Sequence, residues 1–304
     1  MASFEHDARG RPKDKDFGVT SDELASRAFL VEAHCRRPGR TARSLQGCVT
    51  TDGLDSYQLL SQHVPLESHV LDLGCGDGPL LNTLVTEGHQ PARLMGIDLS
   101  RRELMLARAH RLNPVRMLQA DCSALPFRRA HFDCVTAHLV MMLLPQPQKT
   151  IDEVTRVLKP GGRFLATLGG GPKFCNGQNL LSVFLNVLEA YLKDSGRPSP
   201  HLNSRATAPD QISNLFPAQQ WSSDWHYSTH YLERQASPFD AWELCTELYE
   251  FDLIARSERP ILRETFLRMT KLGAHMTGPF AYFVDTLSIQ KRVTPSRPAH
   301  DIPA

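Results

Sequence analysis

The sequence predicts an α/β fold, a doubly wound and mostly parallel sheet, on three observations. An apolar run, Val70-Leu71-Asp72-Leu73, closes on glycines spaced every second residue at Gly74, Gly76 and Gly78. Strands buried on both faces read as such unbroken apolar runs. Strand-like and helix-like segments then alternate from about residue 69 to 168, as a parallel sheet with crossover helices requires. Finally, 304 residues suffice to bury such a core as one domain with an insertion.

Residues 1–19 are charged and punctuated by glycine and proline, and are expected to be a disordered tail. Thr20-Ser21-Asp22-Glu23 has the form of a capping box that opens a helix running to about Cys35. A second helix is expected near Leu54–His63, ended by Pro65. Strands follow near 69–73, 94–98, 115–119, 132–136 and 163–168, with helices near 79–87, 101–111 and 147–157. Pro79 suits the first turn of its helix. Lys159-Pro160-Gly161-Gly162 reads as a turn.

After Gly169 the alternation stops. Gly169-Gly170-Gly171-Pro172 reads as a flexible exit, Leu180–Leu192 as an apolar helix, and 195–209 as a polar loop. Between Trp225 and Leu232 the residues alternate with period two, so a strand is expected. Helices are expected at Pro238–Tyr249 and Leu262–Leu272, a final antiparallel strand at Thr286–Arg292, and a loose tail over 293–304.

The chemistry gathers at the glycine turn. Glycine lets backbone approach a bound group that a Cβ would push away, and strand, glycine turn and helix together make a nucleotide-type pocket. The dinucleotide spacing G-x-G-x-x-G would need glycine at position 79, which is Pro79. Asp98, ending Met95-Gly96-Ile97-Asp98, could accept from ribose hydroxyls in any nucleotide pocket, or simply cap its strand end.

Further segments follow in order: MGIDLSRRELMLA at 95–107, MLQADCSALPF at 117–127, FDCVTAHLVMMLL at 132–144 and EVTRVLKPGGRFLATL at 153–168. With the glycine turn, these resemble the class I S-adenosylmethionine-dependent methyltransferases of the small type 11-like group, strongly over about 50–170 and in outline over 171–292. The resemblance implies a Rossmann-like, seven-stranded sheet with an antiparallel last strand. It places a methyltransferase domain over 20–292 and a helical insertion over 169–220 that caps the substrate pocket.

It also implies S-adenosylmethionine as cofactor, in contact with Asp72, Gly74, Cys75, Gly76, Gly78, Asp98, Leu99, Asp121, Cys122 and Ala137. Asp72 would lie near the cofactor's amino group or, alternatively, cap the loop. Asp98 would take the ribose hydroxyls, Leu99 would lie against adenine, Asp121 would accept the adenine amino group, and the Cys122 N–H would reach a ring nitrogen. His138, after the fourth strand, would be the catalytic base near the methyl, with an ordinary pKa near ~6.5; packing or backbone support is its other reading. Met141-Met142 would make the acceptor pocket apolar. Phe174, Trp221, Trp225, Tyr227, Tyr231 and Trp242 could line it, although packing between sheet and helices is the commoner use of such residues.

Charge is balanced, 34 basic against 33 acidic residues, so no basic footprint for nucleic acid is expected. Arg36, Arg37, Arg40 and Arg43 form a local cluster expected at a solvated helix end. Seven cysteines without a C-x-x-C pair suggest reduced thiols in a cytoplasmic protein and no metal site. The N-terminal stretch lacks an apolar signal core, and no run approaches the ~18 apolar residues of a membrane span. The function expected is methyl transfer to a small-molecule acceptor, with no nucleic-acid or membrane partner, as monomer or homodimer. A protein, peptide or carrier-bound acceptor, or a non-catalytic cofactor-binding role, are the alternatives.

Overall fold

The computed structural model describes residues 21–109, 115–171, 179–195, 209–273 and 276–293. The expected tail at 1–19, Thr20, Pro172, Phe174, Cys175 and most of the 195–209 loop lie outside them.

Seven strands form one sheet in the order β3-β2-β1-β4-β5-β7-β6. β1 (Val70–Leu73), β2 (Leu94–Asp98), β3 (Arg116–Gln119) and β4 (Phe132–His138) are parallel, as is the start of β5 (Leu158–Gly171) on β4. β6 (Trp221–Ala236) and β7 (Gly278–Lys291) run antiparallel, with β7 inserted between β5 and β6. The expected mixed sheet is therefore present. Both antiparallel strands outrun their sequence signals, because backbone pairing extends them through residues that do not alternate.

All four residues of β1 are buried, and one step beyond its pairing with β2 and β4 lie Asp98 and His138. Leu73 is in register with both Ile97 and Ala137. The chain reverses its winding between β1 and β4, and open α/β sheets bind ligands at the carboxyl ends of strands at such a point.

Helices α1 (Ser21–Arg36), α3 (Ser56–Ser61), α4 (Pro79–Thr86), α5 (Arg101–Ala109) and α6 (Pro147–Val157) fall close to expectation. Asp55 caps α3 through the N–H groups of Tyr57 and Gln58, and Gln58 returns a bond to the Asp55 N–H. The short α2 (Arg40–Ser44) carried no sequence signal.

The solvated reading of the arginine cluster is corrected by Arg40, which is 1% exposed. Its guanidinium donates to the Glu247 and Leu248 carbonyls and to Asp252 Oδ2 at 2.5–2.7 Å. The turn expected at 159–162 is absorbed into an irregular start of β5, where Gly161 keeps a left-handed φ of 78°. The triglycine likewise continues β5 to Gly171.

Among the described residues the core has three parts. One lies between the sheet and α6 and contains Trp221, Phe164 and Ala137. A second gathers α7 (Leu180–Asp194), α8 (Pro238–Thr246) and α9 (Arg259–Met269) against β6 and β7, around Phe184, Trp242, Phe266 and Phe280, and a third, with Leu60, Leu81, Leu84 and Leu94, packs α3 and α4 on the sheet. No helix among the described residues is long and apolar enough to cross a membrane.

Candidate active site

A cavity of about 200 Å³ opens at the carboxyl ends of β1, β2 and β4. Its floor is the glycine turn. Gly74, Gly76 and Gly78 have φ values of 59°, 55° and 86°, a region L side chains rarely adopt. A Cβ on Gly74 would meet Val140 Cγ2 at 2.5 Å, whereas one on Gly76 would enter nearly open space, its nearest neighbour Glu103 Oε2 at 3.9 Å. Gly74 is thus required by packing, and Gly76 keeps room beside the cavity. Gly78 is the N-cap of α4 and does not line the cavity.

Asp72, inside a buried strand, needs a partner. It accepts the Thr136 hydroxyl at 2.8 Å. Burial nonetheless pushes its carboxyl up to about 7, with that hydrogen bond pulling it down and Asp98 pushing it further up. Asp98 accepts from the Gly76 N–H through Oδ2 at 2.9 Å and from the Ser100 N–H through Oδ1 at 2.7 Å. It therefore holds the glycine turn and the start of α5 while facing the cavity. Burial is the main cause of its raised pKa. Asp121 accepts from Ser123 through both backbone N–H and hydroxyl. Leu99 and Cys122 complete this side of the wall, with Cys75 between the glycines. Burial drives the Cys122 thiol up to about 12 and the Cys75 thiol well above its usual value, so neither is a nucleophile.

Ala137 corrects an expectation: it is fully buried in the core against α6 and does not line the cavity. His138 does line it, but its environment overturns a base of ordinary pKa. Nε2 lies 2.9 Å from Ser56 Oγ, and the ring stacks on Tyr57 with centroids 4.1 Å apart. Burial lowers the imidazole to about 3, so the ring is neutral at physiological pH. Leu139, the next residue, has a φ of 55°, held by its N–H donating to the Thr167 carbonyl at 2.8 Å. Strain of this kind tends to collect at functional sites.

The apolar wall comes from Val140, Leu143 and Leu144; Met141 and Met142 do not line the cavity. Met141 is core, and Met142 covers Gly169. Of the aromatics named for the acceptor pocket, the described ones follow their commoner use, packing, and do not line the cavity. Trp221 packs edge-on to Phe216, Trp242 lies in the second core, Tyr231 sits on Phe283, and Trp225 and Tyr227 flank the first core.

The cap expected over 169–220 lies partly outside the described residues, and the described cover over the cavity comes from other elements. No described residue of 169–220 reaches it; Leu30, Val31 and His34 of α1, Thr41, Tyr57 and Tyr249 do. His34 Nδ1 donates to Glu103 Oε1 at 2.6 Å, and Nε2 lies 2.7 Å from the Tyr249 hydroxyl. Glu103 also accepts the Gly39 N–H through both oxygens, at 2.9 and 3.0 Å. No local pattern marks these residues, because His34 is separated from Glu103 by 69 positions and from Tyr249 by 215.

The sequence pattern of the methyltransferase domain family matches residues 71–166, which span β1 to β5 and hold this floor and wall. Over these residues the chain is similar to a methyltransferase domain. Among relatives, a ubiquinone biosynthesis O-methyltransferase of Idiomarina loihiensis is 34% identical over 109 residues, covering 34% of this chain and 44% of the relative. A demethylmenaquinone methyltransferase of Lactiplantibacillus plantarum is 33% identical over 108 residues, 34% of this chain and 46% of its own. The chain spans less than half the length of these relatives.

Solved structures share the fold. The YcgJ protein from Bacillus subtilis matches with TM-score 0.51 at 21% identity, covering 78% of this chain and 98% of its own. A Haemonchus contortus phosphoethanolamine N-methyltransferase 2 matches with TM-score 0.52 at 17% identity, covering 93% and 62%.

The cavity suits S-adenosylmethionine, the methyl donor that the resemblance implies. Among the described residues five carboxyl groups line it, Asp72, Asp77, Asp98, Glu103 and Asp121, and no Lys or Arg does. A ligand bearing a sulfonium and an ammonium is the complement of such a wall.

Proposed function

We propose that the chain transfers a methyl group to a small-molecule acceptor that is neutral or basic, by O- or N-methylation, in a pathway of specialised metabolism in the cytoplasm. The observation that carries this reading is the wall itself, which combines carboxyl groups with apolar side chains and, among the described residues, offers no Lys or Arg to hold an anionic acceptor. Relatives named for ubiquinone and menaquinone steps support a small acceptor. The six described cysteines are free and five of them are buried, which supports a reducing compartment.

In this reading the glycine turn with Asp72 receives the amino-acid end of the cofactor. Asp98 receives the ribose, Leu99 and Asp121 the adenine, and the Cys122 N–H a ring nitrogen. When bound, the cofactor supplies an electrophilic methyl, so the protein's task is to align the acceptor and exclude water. His138 serves by position: a neutral ring fixed by Ser56 and Tyr57 can hold an acceptor hydroxyl or amine, but is too weakly basic to ionise one at neutral pH.

Calorimetry with S-adenosylmethionine, S-adenosylhomocysteine and NAD tests the cofactor. The first two should bind and NAD should not; the reverse preference overturns the reading. Methyl-labelled cofactor incubated with phenol, alcohol and amine libraries then identifies the acceptor. Label transferred only to protein would favour a macromolecular substrate.

A further inference from the structure

Asp98 does not present a free carboxylate to the cavity, since one oxygen holds the Gly76 N–H and the other the Ser100 N–H. Each oxygen retains one acceptor position. A ribose offers two hydroxyls as donors; Asp98 can take both, and a further acceptor on the same cavity would let one of them be held separately.

A continuous hydrogen-bonded path leads from Asp98 to such a group. Ser100 Oγ accepts the Glu103 N–H at 3.4 Å, Glu103 Oε1 takes the His34 Nδ1 proton at 2.6 Å, and Nε2 faces the Tyr249 hydroxyl at 2.7 Å. Every member of this path lines the same cavity. The carboxylate only accepts, so Nδ1 is the donor, and the Nδ1–H tautomer presents Nε2 to the phenol hydroxyl as an acceptor. The phenol oxygen is thereby oriented with its lone pairs away from His34. Thr41 takes one of them, which leaves one acceptor position. The ring is clamped from behind by the Arg40 guanidinium, 4.6 Å from its centroid, so the hydroxyl is held in place before any ligand arrives.

We propose that Tyr249, oriented by the Glu103–His34 pair, is a cofactor-binding residue that accepts a hydrogen bond from one ribose hydroxyl. Tyr249 makes the contact; His34 and Glu103 are positioning residues. The inference rests on the methyltransferase reading, but its test needs neither acceptor nor turnover.

The test is calorimetric binding of S-adenosylhomocysteine and of its 2′-deoxy and 3′-deoxy analogues to the full chain, wild type, Tyr249→Phe and His34→Ala. Tyr249→Phe removes one oxygen and keeps the ring, and thermal melting confirms that it folds. It should raise the dissociation constant for S-adenosylhomocysteine about 3- to 10-fold, the scale of one neutral hydrogen bond. For one of the two deoxy analogues wild type and Tyr249→Phe should bind equally, because the hydroxyl that Tyr249 serves is gone. His34→Ala should lose affinity in the same analogue-dependent way.

An equal loss for all three ligands would show that Tyr249 acts on the pocket's shape, and would overturn the proposal, as would unchanged affinity in Tyr249→Phe. If wild type binds none of the three, the methyltransferase reading fails and takes the proposal with it.

Discussion

Asp72 and His138 face one cavity, and burial drives both toward the neutral form, which moves their pKa values in opposite directions. His138 drops to about 3 from the usual 6.5. Between those values the unfolded chain binds a proton that the folded one refuses, so stability is full above pH 6.5 and is lost as pH falls toward 3. His138→Gln should flatten that slope; urea unfolding at pH 7 and pH 5 should show wild type losing about 2 kcal/mol more than the variant. Equal losses would mean that the ring titrates normally.

Asp72 rises to about 7, so its folded form holds a proton that the unfolded chain has released, and stability falls as pH rises from 3.8 to 7. A cationic ligand reverses this by favouring the carboxylate. S-adenosylmethionine binding at pH 7 should therefore release protons, read as a binding enthalpy that differs between phosphate and Tris buffers. Asp72→Asn should abolish most of that difference.

Asp98 was legible as a ligand-facing acid, whereas its two bonds to backbone were not, since they depend on how the glycine turn folds back. Asp98→Ala should accordingly weaken S-adenosylhomocysteine binding and also lower unfolding free energy by about 1–3 kcal/mol, the cost of leaving shielded donors without partners. Lost affinity with an unchanged melt would confine its role to the ligand.

At the scale of elements, legibility follows how local each signal is. β1, β2, β4 and the helices between them announce themselves through apolar runs, prolines and glycines, and appear within a few residues of expectation. β6 and β7 were seen only at 225–232 and 286–292, because most of their length is specified by pairing with each other and not by side chains. The cover was illegible for a stronger reason. α2 is five residues long and owes its place to Arg40, whose partners Glu247, Leu248 and Asp252 lie more than 200 positions away. Nothing in the run of arginines distinguishes the buried one from the solvated Arg36. Arg40→Ala should cost about 3–5 kcal/mol, as expected when one partner of a buried ion pair is removed. Because Arg40 also backs the Tyr249 ring, cofactor affinity should fall with it. A melt within about 1 kcal/mol of wild type would show that α2 is held by packing alone.

Across the whole molecule the cofactor floor and its cover have different origins in the chain. The matched stretch, 71–166, supplies floor and wall; α1 and α2 come before it and Tyr249 long after. The second core, with Trp242 touching Phe184, Phe251 and Phe266, is what holds Tyr249 near the site. Trp242→Ala should lower stability by about 3–5 kcal/mol. It should also weaken S-adenosylhomocysteine binding although Trp242 does not line the cavity; calorimetry on the folded variant checks this, and unaltered affinity would separate the second core from the site.

The place of β7 has a consequence for how the chain is made. A ribosome finishes β6 at Ala236, but the only strand that joins it to the rest of the sheet does not begin until Gly278. Throughout that interval of synthesis β6 has open edges on both sides apart from its contact at Val49, and β5 has one. Newborn chains are therefore most exposed to mispairing with one another in the interval before β7 emerges. A stop codon or proteolytic cut ahead of Gly278 should yield aggregate instead of a smaller soluble enzyme, even though every residue of the glycine turn would be present.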